Sequence, residues 1–346
     1  MAGEKGIRVG VNGYGVIGKR LADAVAQQVD MELVGAVDVV ADWRTRVADA
    51  RGVALYGAAG EHAQAMRRYG LRVAGVLDDL LSRIDIVVDC TPKKVAARNV
   101  ELYRRRGVKF IVQGGEKHSV TGHSFVAEVN YASAVGREAT RVVSCNTTSV
   151  VRTLSALKRA GLLRRARGTL LRRATDPWES HEGGIMNTLV PEPEIPSHQG
   201  LDAKTVDPDL DVVTMAVKVP ETLAHLHYWA VDMTRAASKD EVLAAFRSST
   251  RIALIRFRDG LGALNSVKEM MSDAGRPRAD LYEVALWEDM LKVQGEELYY
   301  AYMVDNQAIV VPETIDAIRA LTQAETRPSG SIARTDAALG IGAVFK

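Results

Sequence analysis

Apolar runs of strand length alternate with helix-periodic stretches through the first 145 residues. Ile7–Val11 is a short apolar strand pattern, followed by a glycine-rich turn and a helical pattern to about Val29. Met31–Val37 is strand-like again, and Ile84–Asp89 (IDIVVD) is nearly continuous, as a strand covered on both faces requires. Lys93–Arg106 reads as a helix, and Phe110–Val112 and Arg141–Val143 supply two further strands. Strands and helices in alternation predict a doubly wound parallel sheet.

The texture changes after Asn146. A helical segment, Thr148–Ala160, leads into longer β-branched or alternating runs at Gly168–Ala174, Val212–Val219, His225–Met233 and Leu298–Val304. Between the first two lies a proline-bearing loop, Thr175–Asp209, long enough to suggest a functional or interfacial role. Pro312 suits the first turn of a helix running to about Thr326, and a last helical stretch ends near Leu339. The expected organisation is α/β. Residues 1–145 form a dinucleotide-binding domain, 146–311 an α+β catalytic domain with a mixed or antiparallel sheet, and 312–346 are C-terminal helices packing back on the first domain. No internal repeat or low-complexity tract is present.

Composition sets few further limits. With 47% hydrophobic and 25% charged residues among 346, the chain can bury a substantial core. A formal charge of +2 gives no electrostatic reason to expect nucleic acid or a membrane surface as partner. The arginine runs at 104–106 and 164–165 read as solvated helix faces. No stretch has the apolar length of a spanning helix, and the N-terminus lacks a signal-peptide layout. Two cysteines, Cys90 and Cys145, cannot build a disulfide framework and fit a reducing compartment. A cytoplasmic protein is expected.

Gly13-Tyr14-Gly15-Val16-Ile17-Gly18 is G-x-G-x-x-G, placed directly after a strand and opening a helix. That context makes the first domain Rossmann-type. The glycines permit a tight turn and close backbone approach to a pyrophosphate, whose charge the helix N-terminus favours; Val16 and Ile17 lie on that approach. Asp38, 20 residues past Gly18, ends the second strand where an acid accepts hydrogen bonds from ribose hydroxyls. It should repel a 2′-phosphate, although Arg44 and Arg46 lie close enough in sequence to pair with one. Thr91 and Pro92 follow another strand end, as do Gly114 and Gly115 after Gln113, both where open α/β sheets bind ligands.

Ser144-Cys145-Asn146-Thr147-Thr148 joins a strand to a helix. A helix start favours a thiolate, so Cys145 is the candidate nucleophile with a lowered pKa, and Cys90 the packing residue. Activating a thiol calls for a base or charge partner among seven histidines. His225 and His227 share one face of a strand; no third ligand accompanies them, and no metal site is expected. Arg172 and Arg173 neighbour each other in a strand, so only one projects straight into a site unless the strand bends.

Together VNGYGVIGKR (residues 11–20), DCTP (89–92), QGGEKH (113–118), SCNTT (144–148), LRRATD (171–176), PSH (196–198), HLH (225–227) and NQAIVVPE (306–313) resemble the archaeal type of glyceraldehyde-3-phosphate dehydrogenase. The resemblance implies phosphorylating oxidation of an aldehyde phosphate, in glycolysis or gluconeogenesis. Cys145 would form a hemithioacetal and then a thioester cleaved by inorganic phosphate to an acyl phosphate. It implies that His225, first of the pair, is general base and oxyanion donor, with His227 as the fallback. It further implies phosphate and cofactor contacts from Arg172 and Arg173, a substrate-phosphate ligand in His198, and a nicotinamide carboxamide partner in Gln307. Ser144, Asn146, Thr147 and Gln199 complete the expected substrate site; Gln199 stands where the family often has a second histidine. Relatives of this type commonly carry lysine at position 38, so Asp38 ranks NAD ahead of NADP. The resemblance also suggests a homotetramer. Two other readings remain: an aspartate-semialdehyde or other acyl-phosphate-linked dehydrogenase, and a cofactor-sensing binding protein without chemistry.

Overall fold

The computed structural model describes residues 6–113, 115–183 and 185–345. The chain divides into two compact units, 1–144 with 311–339 and 145–310 with 340–346.

The first unit is built on eight strands: β1 (Ile7–Asn12), β2 (Met31–Asp38), β3 (Leu55–Gly57), β4 (Val73–Val76), β5 (Ile86–Asp89), β6 (Lys109–Gln113), β7 (Ser124–Phe125) and β8 (Ala139–Val142). Every pairing among them is parallel, in the order β4-β3-β2-β1-β5-β6-β8-β7. The chain leaves β1 in one direction and later returns to its other side at β5. The carboxyl ends of β1 and β5 therefore form the crevice where such sheets bind ligands. Val9, Val11, Val87, Val88, Phe110 and Ile111 are wholly buried, which is why these runs lack polar alternation.

The helix expected from Lys93 begins at Ala96, because Lys94 takes a left-handed backbone (φ +73°) after Pro92. The arginines at 104–106 close that helix and are exposed. The helix holding Pro312 runs Val310–Thr322, so the proline lies in its first turn, where its missing N–H costs nothing. Gln323, at φ +60°, ends it before Thr326. Buried Arg319 ties this helix to the rest of the unit, with Nε donating to Asp30 at 2.7 Å and Nη1 to Thr335 at 2.6 Å.

The second unit carries β9 (Leu163–Arg173), β10 (Val190–Pro191), β11 (Val212–Val219), β12 (His225–Met233), β13 (Ile252–Ile255), β14 (Val284–Trp287), β15 (Lys292–Gln294) and β16 (Glu297–Val304). They form a mixed sheet ordered β10-β11-β9-β12-β16-β14-β13, with β15 on β16. β9/β11 and β13/β14 are parallel and the rest antiparallel. Arg164 and Arg165 are exposed on β9, not on a helix as expected, because the strand already begins at Leu163. Residues 340–345 belong to this unit, a correction to the expectation for 312–346. Buried Arg276 donates to the Gly340 carbonyl at 2.9 Å, and the Gly342 N–H donates to Glu283 at 2.9 Å.

Among the described residues no helix is long and apolar enough to cross a membrane, and no group of three or more His, Cys, Asp or Glu could hold a metal ion.

Candidate active site

Period-two alternation along β12 puts His225, His227, Trp229, Val231 and Met233 on one buried face. Cys145 opens the helix Cys145–Arg159 in the same unit, with Sγ 3.5 Å from His225 Nε2. On the far side of the ring, the Arg173 N–H donates to Nδ1 at 3.0 Å. A backbone amide only donates, so Nδ1 must carry a lone pair, and the proton of the neutral ring sits on Nε2, facing sulfur. His227 is fully buried, with Nε2 2.9 Å from Asn146 Oδ1 and Nδ1 3.0 Å from the Tyr302 hydroxyl. Only the first histidine of the pair meets the thiol; the second holds Asn146.

The electrostatics depart from expectation. Burial raises the Cys145 thiol above its ordinary value, against downward pulls from Arg173, the Asn146 N–H and Arg172; Asp305 adds to the rise. The helix start does not lower the pKa of the ligand-free protein as the sequence reading expected, because desolvation of the thiolate outweighs it. Burial, then His227, Arg173 and Arg172, hold His225 well below its usual 6.5, so the ring is neutral at pH 7. Cys90 is pushed higher still, by burial and then Asp89, and packs against the apolar cluster of Val11, Tyr14 and Ala36. Alkylation by iodoacetamide should therefore be faster at Cys145 than at Cys90, and the Cys145 rate should still climb above pH 9, since only the thiolate reacts. Peptide mapping across pH 6–10 checks this; a plateau below pH 7 at Cys145 would mean a preformed thiolate–imidazolium pair.

Arg172 and Arg173 both act on Cys145, although neighbours in a strand point apart. Strand β9 ends here, and the Arg173 side chain reaches Asp176 at 3.1 Å. Arg172 pairs with Glu192, and His198, exposed on its short helix, has Nδ1 3.5 Å from the same carboxylate. Other expected substrate groups turn inward. The Thr147 hydroxyl donates to Asp202 at 3.1 Å, Asn146 Oδ1 is held by His227, and Gln199 is wholly buried, accepting from Ser197 at 2.7 Å. Ser144 ends the first segment of the first unit.

Gln307 is also engaged, with Nε2 donating to Asp176 at 2.5 Å. Its neighbour Asn306 is only 7% exposed, and neither atom of its amide has a hydrogen-bond partner. Such a group costs free energy unless a ligand satisfies it. Asp305 builds the turn that aims it, accepting from the Gln307 N–H at 2.9 Å and from Lys268 at 2.6 Å. The polar triplet Asp305-Asn306-Gln307 was visible in the sequence; which amide is left unpaired depends on this turn.

In the first unit, a Cβ on Gly13 (φ +94°) would lie 2.9 Å from the Cys90 carbonyl carbon, and one on Gly18 1.8 Å from the Gly13 oxygen. Gly15 faces open space and starts the helix Val16–Ala26 without a side-chain cap, so its first N–H groups have no capping side chain. Val16 and Ile17 are half-buried in that first turn. This cradle fits a dinucleotide pyrophosphate. Asp38 accepts from the N–H of Tyr14 at 2.9 Å, of Val39 at 2.6 Å and of Val40 at 3.2 Å, so one carboxylate both shapes the turn and charges its rim. Arg44 pairs with Asp42 and Arg46 lies over the Tyr69 ring, 4.5 Å from its centroid. Thr91 donates to buried Asp89, and Pro92 is exposed beside it. Gly115 leaves ordinary room for a side chain. Gly114 lies outside the described residues.

Residues 144–288 match the family model for the C-terminal domain of glyceraldehyde 3-phosphate dehydrogenase, and 7–122 that for the N-terminus of dihydrodipicolinate reductase. The glyceraldehyde-3-phosphate dehydrogenase of Methanobrevibacter smithii is 42% identical over 335 residues, covering 96% of this chain and 99% of the relative. That of Archaeoglobus fulgidus is 44% identical over 341 residues, covering 98% and 99%. The chain belongs to the glyceraldehyde-3-phosphate dehydrogenase family. The family's C-terminal domain spans Cys145, Arg172, Arg173, His198 and His225, whereas Asn306 and Gln307 lie beyond both matched segments. An aspartate semialdehyde dehydrogenase II from Vibrio cholerae shares the fold, with a TM-score of 0.66 at 13% identity over 92% of this chain and 99% of the other.

Proposed function

We propose that this protein is a phosphorylating glyceraldehyde-3-phosphate dehydrogenase that converts D-glyceraldehyde 3-phosphate and inorganic phosphate to 1,3-bisphosphoglycerate, using NAD in preference to NADP. The observation that carries the reading is a thiol 3.5 Å from an imidazole Nε2, in a chain of this family. Once the Cys145 thiol has given its proton to solvent, the thiolate attacks the aldehyde carbon, and His225 Nε2–H donates to the oxygen that becomes an alkoxide. A nicotinamide cofactor, when bound, would supply the hydride acceptor, and Gly13, Gly15 and Gly18 would seat its pyrophosphate. A phosphate oxygen then attacks the thioester carbonyl carbon, the C–S bond breaks and the Cys145 thiolate is regenerated, with Arg172, Arg173 and His198 supplying cationic and N–H groups for the two phosphates. The general-base role expected for His225 would require a proton on Nδ1, opposite the Arg173 N–H, so the ring serves as a donor throughout.

The preference for NAD rests on the Asp38 charge, with Arg44 and Arg46 turned to other partners. Asp38→Asn keeps an acceptor for the Tyr14 amide and removes the charge. It should raise kcat/KM for NADP relative to NAD by about tenfold, as relief of about 1.4 kcal/mol of repulsion predicts. An unchanged ratio would show that Asp38 does not read the ribose. Homotetramers are proposed from the open face of the second sheet, where Met215, Tyr228 and Tyr299 are about two-fifths exposed around a groove of about 340 Å³; light scattering reads the assembly. A cytoplasmic setting fits two unpaired thiols.

Steady-state assays with glyceraldehyde 3-phosphate, NAD or NADP, and phosphate test the reading. Reduced cofactor should form only when phosphate is present. Turnover of aspartate semialdehyde instead would overturn it in favour of the semialdehyde reading.

A further inference from the structure

Glu192 was not singled out by any motif, yet it occupies the heart of the expected anion site. Its N–H donates to the Ala216 carbonyl at 2.9 Å, which continues the antiparallel pairing of β10 with β11 and fixes the residue's backbone. Its side chain reaches past β11 to Arg172 on β9, while its second oxygen stands 3.5 Å from His198 Nδ1. One carboxylate thus spans the two groups assigned above to a phosphate. It satisfies the guanidinium only in part, because Arg172 Nε is buried without a hydrogen-bond partner. A guanidinium fully used by its internal partner would engage Nε as well as a terminal nitrogen in the bidentate fork.

We infer that Glu192 is an internal competitor for the substrate's phosphate: a tethered monoanion that an incoming dianion displaces from Arg172 and His198. This rests on the proposed reading of those two residues as phosphate ligands and adds a determinant of specificity to it. Tethering gives Glu192 a high effective concentration at the guanidinium. A carboxylate-bearing substrate from solution has the same charge and no advantage over it. A phosphate monoester carries more charge and three acceptor oxygens, enough to take the unspent Nε as well. The exchange therefore selects phosphorylated aldehydes over carboxylated ones in a fold that a semialdehyde dehydrogenase shares.

The test is Glu192→Gln, with Glu192→Ala as a second variant in case the amide keeps the pairing. Binding of inorganic phosphate to the full-length protein is measured by calorimetry, alongside KM for glyceraldehyde 3-phosphate and inhibition by acetate. Removing the competitor should tighten phosphate binding by about threefold to tenfold, lower KM with kcat moving less, and make acetate an inhibitor that it is not in the wild type. Weaker phosphate binding and higher KM in both variants would overturn the inference, making Glu192 a strut that orients Arg172; turnover of the phosphorylated aldehyde would still stand. Absence of phosphate binding in wild type and variants alike, with no turnover, would remove the underlying reading together with it.

Discussion

Cys145→Ser should lower kcat for glyceraldehyde 3-phosphate by more than about a thousandfold, while leaving the dissociation constant for NAD within about twofold. Sulfur is both the attacking atom and the leaving group. A serine hydroxyl in the same position cannot ionise usefully, since desolvation already raises even the more acidic thiol. Nor does its ester yield to phosphate as a thioester does. Cofactor affinity should survive, because the cradle of Gly13, Gly15 and Gly18 and the Asp38 rim are contained in the other unit. Stopped-flow turnover and calorimetric NAD titration measure the two quantities. Residual turnover within tenfold of wild type would remove Cys145 from the chemistry, and loss of NAD binding as well would point to misfolding.

The second large effect separates two roles for one ring. His225→Ala should cost about a hundredfold to a thousandfold in kcat, the range for losing a single oxyanion donor. His225→Gln restores an N–H at nearly the reach of Nε2 and cannot act as a base. If the ring works as a neutral donor, Gln should recover at least tenfold over Ala, with a pH–rate profile that still rises on the alkaline side with the thiol. Equal loss in Gln and Ala would mean that a base is required and that the Arg173 N–H does not hold the tautomer during turnover. Circular dichroism guards against misfolding, because His225 is 4% exposed and truncation leaves a void. His227→Ala makes a useful contrast: that ring reaches Asn146 and Tyr302, so its loss should act through positioning and folding.

Much of this chemistry was legible in the chain because it depends on neighbours in sequence. Strand–glycine turn–helix order identifies the dinucleotide cradle wherever it occurs, since one continuous segment supplies the turn, the amides and the helix start. The same holds for Cys145 at a strand–helix junction and for two histidines sharing one strand face. Errors arose where a residue's state depends on distant partners. The Cys145 thiol has the predicted position but not the predicted acidity, because burial outweighs the local helix. Gln307 and Asn306 are adjacent, and only the contact with Asp176, 131 positions away, decides which amide is spent. Asn146, Thr147 and Gln199 lie in motifs that suggested substrate contacts, yet each side chain is committed to the interior by groups 55 or more residues away or by its own loop.

By itself, then, the sequence determined the fold class and the family, and it located the candidate nucleophile and the glycine turn, all carried by local periodicity and contiguous motifs. Tertiary structure decided the rest. It chose His225 over His227, put its proton on Nε2 through the Arg173 amide, raised the thiol, and set Glu192 across Arg172 and His198. The physical reason is common to these outcomes. Protonation, ion pairing and hydrogen-bond saturation depend on burial and on which groups meet in space, and neither is encoded at short range along the chain.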